Sequence, residues 1–107
     1  MSPRPPDACR DLGEIRVEID RIDNGLVDCI AERLGYVERA WQLKLELRQE
    51  ANVPWRNQQV IDKVRARALE KGVPPDLCEA LWRQMIGWFI QYEEEKLRHQ
   101  IETKSSQ

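Results

Sequence analysis

The chain has 107 residues, 41% of them apolar and only five of them glycine, which describes one compact domain rather than a disordered polypeptide. Seventeen basic against 19 acidic residues give a net charge of −2, so no basic excess exists to neutralise phosphates and nucleic acid is not an expected partner. No stretch approaches about 20 apolar residues, and MSPRPPDACRD has no apolar run after its charges, so no membrane partner is expected and the cytoplasm is the expected location.

Residues 1–10 read as a flexible N-terminal arm, 11–100 as the helical domain and 101–107 as a flexible tail. Within the domain the fold class is all-α: one very long helix of about Asp11 to Glu50 and two shorter ones of about Arg56 to Lys71 and Pro75 to Gln100. The breaks between them are ANVPW, where Pro54 disfavours helix at Val53, and EKGVPPD, where Gly72 ends one helix and Pro74, Pro75 and Asp76 open the next.

In the first helix Ile15, Ile19, Ile22, Leu26, Ile30, Leu34, Val37 and Trp41 recur at steps of four and three, a single stripe along a rod of roughly 60 Å. A helix that long needs a partner along its whole length, and a chain this short cannot supply one from within. The third helix carries Leu77, Leu81, Trp82, Met85, Ile86, Trp88, Phe89, Ile90 and Tyr92, an arc wide enough to meet two neighbours.

Chemistry lies in what interrupts these apolar faces. At about 100° per residue from Ile30, Arg33 falls near −60°, Lys44 near −40° and Arg16 near +40°, all inside the apolar arc. Arg21 and Arg39 fall on the opposite face, among Glu14, Glu32 and Glu46. Arg33 and Lys44 are eleven residues apart, so their long side chains project from one face and can converge on something between them. A buried cation costs several kcal/mol unless an anion meets it, either a ligand or an internal carboxylate. Asp23 lies in the same arc and Arg48 one turn past Lys44, which leaves internal pairing open.

Arg16 lies roughly 25 Å from Arg33 along the rod, too far to reach the same small molecule. An antiparallel copy of the helix brings it back, giving an intertwined homodimer with two equivalent shared sites. In the third helix Glu93 sits inside the apolar arc beside Trp82, Ile86 and Phe89, either as a partner for a cation of the first helix or as an acid beside a polar reactant. Arg56 follows the NVPW break as a first-turn residue. Cys9, Cys29 and Cys78 lack metal-ligand spacing and His99 stands near the polar end, so no metal site is expected; Cys29 and Cys78 are expected to pack between helices.

The segment EIRVEIDRIDNGLVDCIAERLGYVERAWQLK, followed by a Pro-containing loop with an Arg and by LWRQMIGWFIQYEEE, resembles the all-helical chorismate mutase family, especially its branch of isochorismate pyruvate lyases. The resemblance spans about residues 11–98. It implies that Arg16 reaches a substrate carboxylate across a dimer, that Arg33 binds the other carboxylate from within the same chain, and that Lys44 hydrogen-bonds the ether oxygen and a carboxylate. It also implies that Arg56 closes the site from the loop, with Val53, Ile86 and Phe89 among the residues lining the substrate. Glu93 stands where many members have glutamine and resembles the fungal arrangement, in which a protonated glutamate donates to the ether oxygen. Val53 stands where some mutases have an acidic loop residue.

The implied activity is the rearrangement of chorismate to prephenate, a small dicarboxylate reaction without cofactor or metal. The alternatives are isochorismate pyruvate lyase, which yields salicylate and pyruvate, and a non-catalytic dimeric helical binding or regulatory module.

Overall fold

The structure, a computed structural model, describes the backbone of residues 2–105 and the side chains of 2–102; Met1 and the last two positions of the expected tail lie outside the described residues. Three α-helices account for most of it: α1 at Leu12–Leu47, α2 at Pro54–Lys71 and α3 at Pro75–Ser105. Among the described residues no strand occurs. The chain forms two compact units, Met1–Val37 and Glu38–Gln107, and α1 contributes to both.

In the first unit a single 3-10 turn, Pro6–Ala8, precedes α1. Asp11 caps the helix, its Oδ1 accepting from the Glu14 N–H at 2.8 Å, which satisfies one of the donors every helix start leaves open. Glu14 in turn gathers the arm: its carboxylate pairs with Arg4 at 2.7 Å and accepts from the Arg10 N–H at 2.7 Å. Beyond this knot the apolar stripe stands open. Every residue from 19 to 32 is exposed, with Ile19, Ile22, Leu26 and Ile30 each showing 47–55% of their surface. Cys29 is therefore exposed rather than packed, while Cys78 is half-buried.

The second unit holds the buried side chains. Trp41, Ala51, Ile61, Ala68 and Glu93 are buried, and Ile61, at 1% exposure, is the most enclosed. α1 ends in a Schellman turn: the Gln49 N–H reaches the Lys44 carbonyl at 2.8 Å and the Arg48 N–H the Leu45 carbonyl at 3.3 Å. Arg48 occupies the left-handed position there, with φ 57°, where a side chain is disfavoured. α2 starts at Pro54, two residues earlier than the expected Arg56, because proline suits the first helical position, where no N–H is needed. It ends with the same turn chemistry at Gly72, φ 71°, which suits glycine.

α3 runs past the expected end at Gln100 to Ser105, since the sequence IETKS holds neither proline nor glycine. It packs on α2 and hydrogen-bonds to the last turns of α1 through Tyr92 and Glu93, while Leu77, Leu81 and Trp88 of its apolar arc stay 52–60% exposed. Across the α2–α3 turn, Arg65 bridges Asp76 and Glu79 at 2.9 Å each, and Glu79 also receives Arg83 at 2.7 Å.

The hydrogen bond from Arg83 holds the Glu79 carboxyl below its usual range, with Arg65 adding to the effect and desolvation opposing it. A carboxylate depressed in the folded state contributes stability above its unfolded pKa and loses it as pH falls through the folded value. Glu79→Gln should therefore lower the thermal midpoint at neutral pH, with the difference from wild type shrinking as the pH is taken below about 4.5. Parallel melts of both proteins across pH check this; a constant difference would contradict it.

Candidate active site

The last turn of α1 places Lys44 where the chain folds back on itself. The Schellman turn returns the loop so that the Ala51 carbonyl lies 2.9 Å from Lys44 Nζ. On the other side Glu93 Oε2, from α3, lies 2.7 Å from the same nitrogen. The side chains are 20% and 8% exposed, so this ion pair is largely withdrawn from water. An ammonium has three N–H donors; the described contacts occupy two and leave one for a further acceptor.

Glu93 is a buried carboxylate on a helix face that it shares with half-buried Trp82, Ile86 and Phe89. Its aromatic neighbourhood is ordered: Trp88 and Phe89 meet edge to face at 5.0 Å, and Tyr92 stacks on Trp88 at 5.4 Å. Isolating either charge here would be costly, because neither could recover the hydration it gave up. What the arrangement offers chemically is a fixed donor and a carboxyl group able to accept or donate according to its protonation, side by side.

Of the residues singled out in the sequence, Lys44 and Glu93 are brought together. Val53 precedes the first residue of α2 and is half-buried. Ile86 and Phe89 are half-buried on α3. Arg56 is exposed in the first turn of α2, where its guanidinium donates to Gln59 Oε1 at 2.6 Å; it makes no hydrogen bond to Lys44 or Glu93. Arg16, exposed, and Arg33, half-buried, belong to the Met1–Val37 unit. Arg39 is exposed and donates to Gln42.

Three participants escape the sequence reading. Ala51 acts through its backbone oxygen and leaves no side-chain signal. Glu38 accepts from Trp41 Nε1 at 2.8 Å and from the Tyr92 hydroxyl. The Glu38–Trp41 spacing of three was a legible pairing signal, but Tyr92 looked like one more member of an apolar arc.

Two surface depressions lie elsewhere. One of about 540 Å³ runs along α2 from Trp55 to Ala66, and one of about 500 Å³ lies where the arm meets α1; neither includes Lys44 or Glu93. Among the described residues no group of three or more His, Cys, Asp or Glu could hold a metal ion.

Residues 15–94 match the family model described as chorismate mutase type II. The isochorismate pyruvate lyase of Pseudomonas aeruginosa is 35% identical over 89 residues, covering 81% of this chain and 85% of the lyase. The chorismate mutase of Methanocaldococcus jannaschii is 33% identical over 75 residues, 70% of this chain and 76% of the mutase. The T-protein of Enterobacter agglomerans is 33% identical over 76 residues, 71% of this chain but 20% of that longer protein.

The pair itself is open to test. Lys44→Met leaves the Glu93 carboxylate buried without its cation and should cost about 3–5 kcal/mol in urea unfolding. The double variant Lys44→Met/Glu93→Leu should regain most of that loss, because both charges are gone and the space stays filled. Strictly additive losses would mean the two residues are not coupled.

Proposed function

Because the chain belongs to the chorismate mutase type II family, we propose that it is an isomerase converting chorismate to prephenate. In this reaction the ether C–O bond breaks while a C–C bond forms between the enolpyruvyl side chain and the ring, with no nucleophile and no change in atom count. The protein's part is to hold the folded substrate shape and to stabilise negative charge growing on the ether oxygen. The observation that carries the reading is the Lys44 ammonium, fixed between Glu93 and the Ala51 carbonyl with a donor to spare. Lys44 donates that hydrogen to the ether oxygen. Glu93 serves as a second donor when it carries a proton. Arg33 and Arg56 clamp the carboxylates, and Val53, Ile86 and Phe89 line the ring.

In the same reading two chains pair along α1, and Arg16 of one protomer completes the site of its partner. The 47–55% exposure of Ile19, Ile22, Leu26 and Ile30 supports this, because such a stripe gains by burial against a second copy. No helix among the described residues is long and apolar enough to cross a membrane. The proposal sets the protein in the cytoplasm, where Cys9, Cys29 and Cys78 would remain thiols.

A second reading is favoured by the 35% identity to a lyase over 85% of that enzyme's length. The same cations could bind isochorismate and promote a pericyclic elimination, in which the ether bond breaks, a ring hydrogen passes to the enolpyruvyl carbon, and salicylate and pyruvate leave. Loss of chorismate absorbance on adding purified protein is the expected result; appearance of salicylate fluorescence from isochorismate, without turnover of chorismate, would replace the first reading by the second.

Lys44→Ala should lower turnover about 10²-fold or more, the usual loss when one donor to a developing oxyanion is removed. Arg39→Ala, an exposed change, should leave the rate close to wild type, and equal damage from both would refute the assignment.

Mixing inactive Arg16→Ala with inactive Lys44→Ala subunits should restore part of the activity, since one of the two shared sites in each mixed dimer is then intact. No recovery after verified subunit exchange would rule out a site shared in this way.

A further inference from the structure

Glu38 has no role in the chemistry above, yet it is one of the better-satisfied side chains of the second unit. One carboxylate oxygen accepts from Trp41 Nε1 at 2.8 Å, and the other accepts from the Tyr92 hydroxyl, 54 positions away on α3. Both bonds are partly withdrawn from solvent, and Trp41 is only 9% exposed. Tyr92 is itself confined, stacked on Trp88 at 5.4 Å, edge-on to Phe89 at 6.1 Å and capped by the Lys96 ammonium 5.4 Å from its ring centre.

The placement matters because of what lies next to each end. Trp41 is three residues before Lys44, one helical turn along the same face of α1. Tyr92 immediately precedes Glu93. Glu38 thus ties the turn below the lysine to the turn that carries the glutamate. A carboxylate suits this task because the indole N–H can only donate and the tyrosine also acts as donor here, and each carboxylate oxygen takes one of them. Glutamine can keep both links, its oxygen accepting from the indole and its NH2 donating to the tyrosine oxygen, whereas leucine can keep neither.

We infer that Glu38 is a positioning residue: by holding Trp41 and Tyr92 together it sets the distance and direction between Lys44 Nζ and the Glu93 carboxyl. The inference rests on the reading of Lys44 and Glu93 as the groups that meet the ether oxygen. A small displacement of such donors weakens the transition state far more than it weakens ground-state binding, which the arginines supply.

The test uses Glu38→Leu, Tyr92→Phe and the double variant in the full chain, each checked for native helix content. Each single variant should lower kcat about tenfold with KM within about twofold of wild type, and the double variant should be no worse than either single one. A rise in KM at unchanged kcat, or losses that multiply in the double variant, would overturn the inference. A second measurement does not depend on turnover. With 15N-labelled lysine, the Lys44 ammonium held at 2.7 Å by Glu93 should give a resonance protected from exchange, assigned by its absence in Lys44→Met. That resonance should broaden or shift in both single variants, and its persistence unchanged would overturn the inference. If wild type turns over neither chorismate nor isochorismate, the proposed function fails, and the ammonium resonance still decides whether Glu38 positions Lys44.

Discussion

The ion pair of Lys44 with Glu93 is the constraint around which the second unit is arranged. A lysine and a glutamate drawn this far out of water are tolerable only if their geometry is good and their remaining hydrogen-bonding capacity is met. The loop after α1 meets part of that demand through the Ala51 carbonyl. The position of the loop follows from the Schellman turn at Arg48, and the position of Glu93 from the seating of α3 on α2. Four apolar side chains are buried among the described residues, and the polar links of Lys44, Glu93, Glu38 and Tyr92 join the same helices.

The same pair explains how a small helical protein could handle a dianion. The cation is already desolvated and already aimed, so a ligand acceptor replaces little water and needs little rearrangement of the lysine. Glu93 serves as the resident counter-charge. In the proposed reading, a substrate with two carboxylates would compete for Lys44 on favourable terms, because it brings more negative charge and Arg16, Arg33 and Arg56 would meet it. Similarity to both a mutase and a lyase fits this picture, since both reactions ask for one folded enolpyruvyl dicarboxylate and one stabilised ether oxygen.

Much of this was legible in the sequence, for identifiable reasons. Steps of three and four along α1, a proline at 54, a glycine at 72 and prolines at 74 and 75 are local signals, and local signals decide where helices begin and end. Lys44 and Glu93 stood out because each interrupts an apolar face. Glu38 did not: it lies about 80° from Ile30, just outside the apolar arc, and reads as one more solvated charge. Its partner Tyr92 is 54 positions away, a separation that no periodicity reports. The left-handed turn at Arg48 was equally hidden, because glycine or asparagine would have announced it and arginine does not. The exposure of Cys29 shows the converse limit, in which an apolar stripe predicts burial without saying against what.

The Ala51 carbonyl has an evolutionary corollary. A peptide oxygen is supplied by every residue type, so substitution at position 51 cannot delete this contact to Lys44; it can only disturb it through the bulk of a new side chain in a position that is 7% exposed. Half of the lysine's immediate surroundings is thus encoded by the path of the chain rather than by the identity of a residue. Drift in the loop between α1 and α2 is silent for the lysine so long as its length and its left-handed turn are kept, whereas inserting or deleting one residue there would move the acceptor while leaving every charged side chain in place.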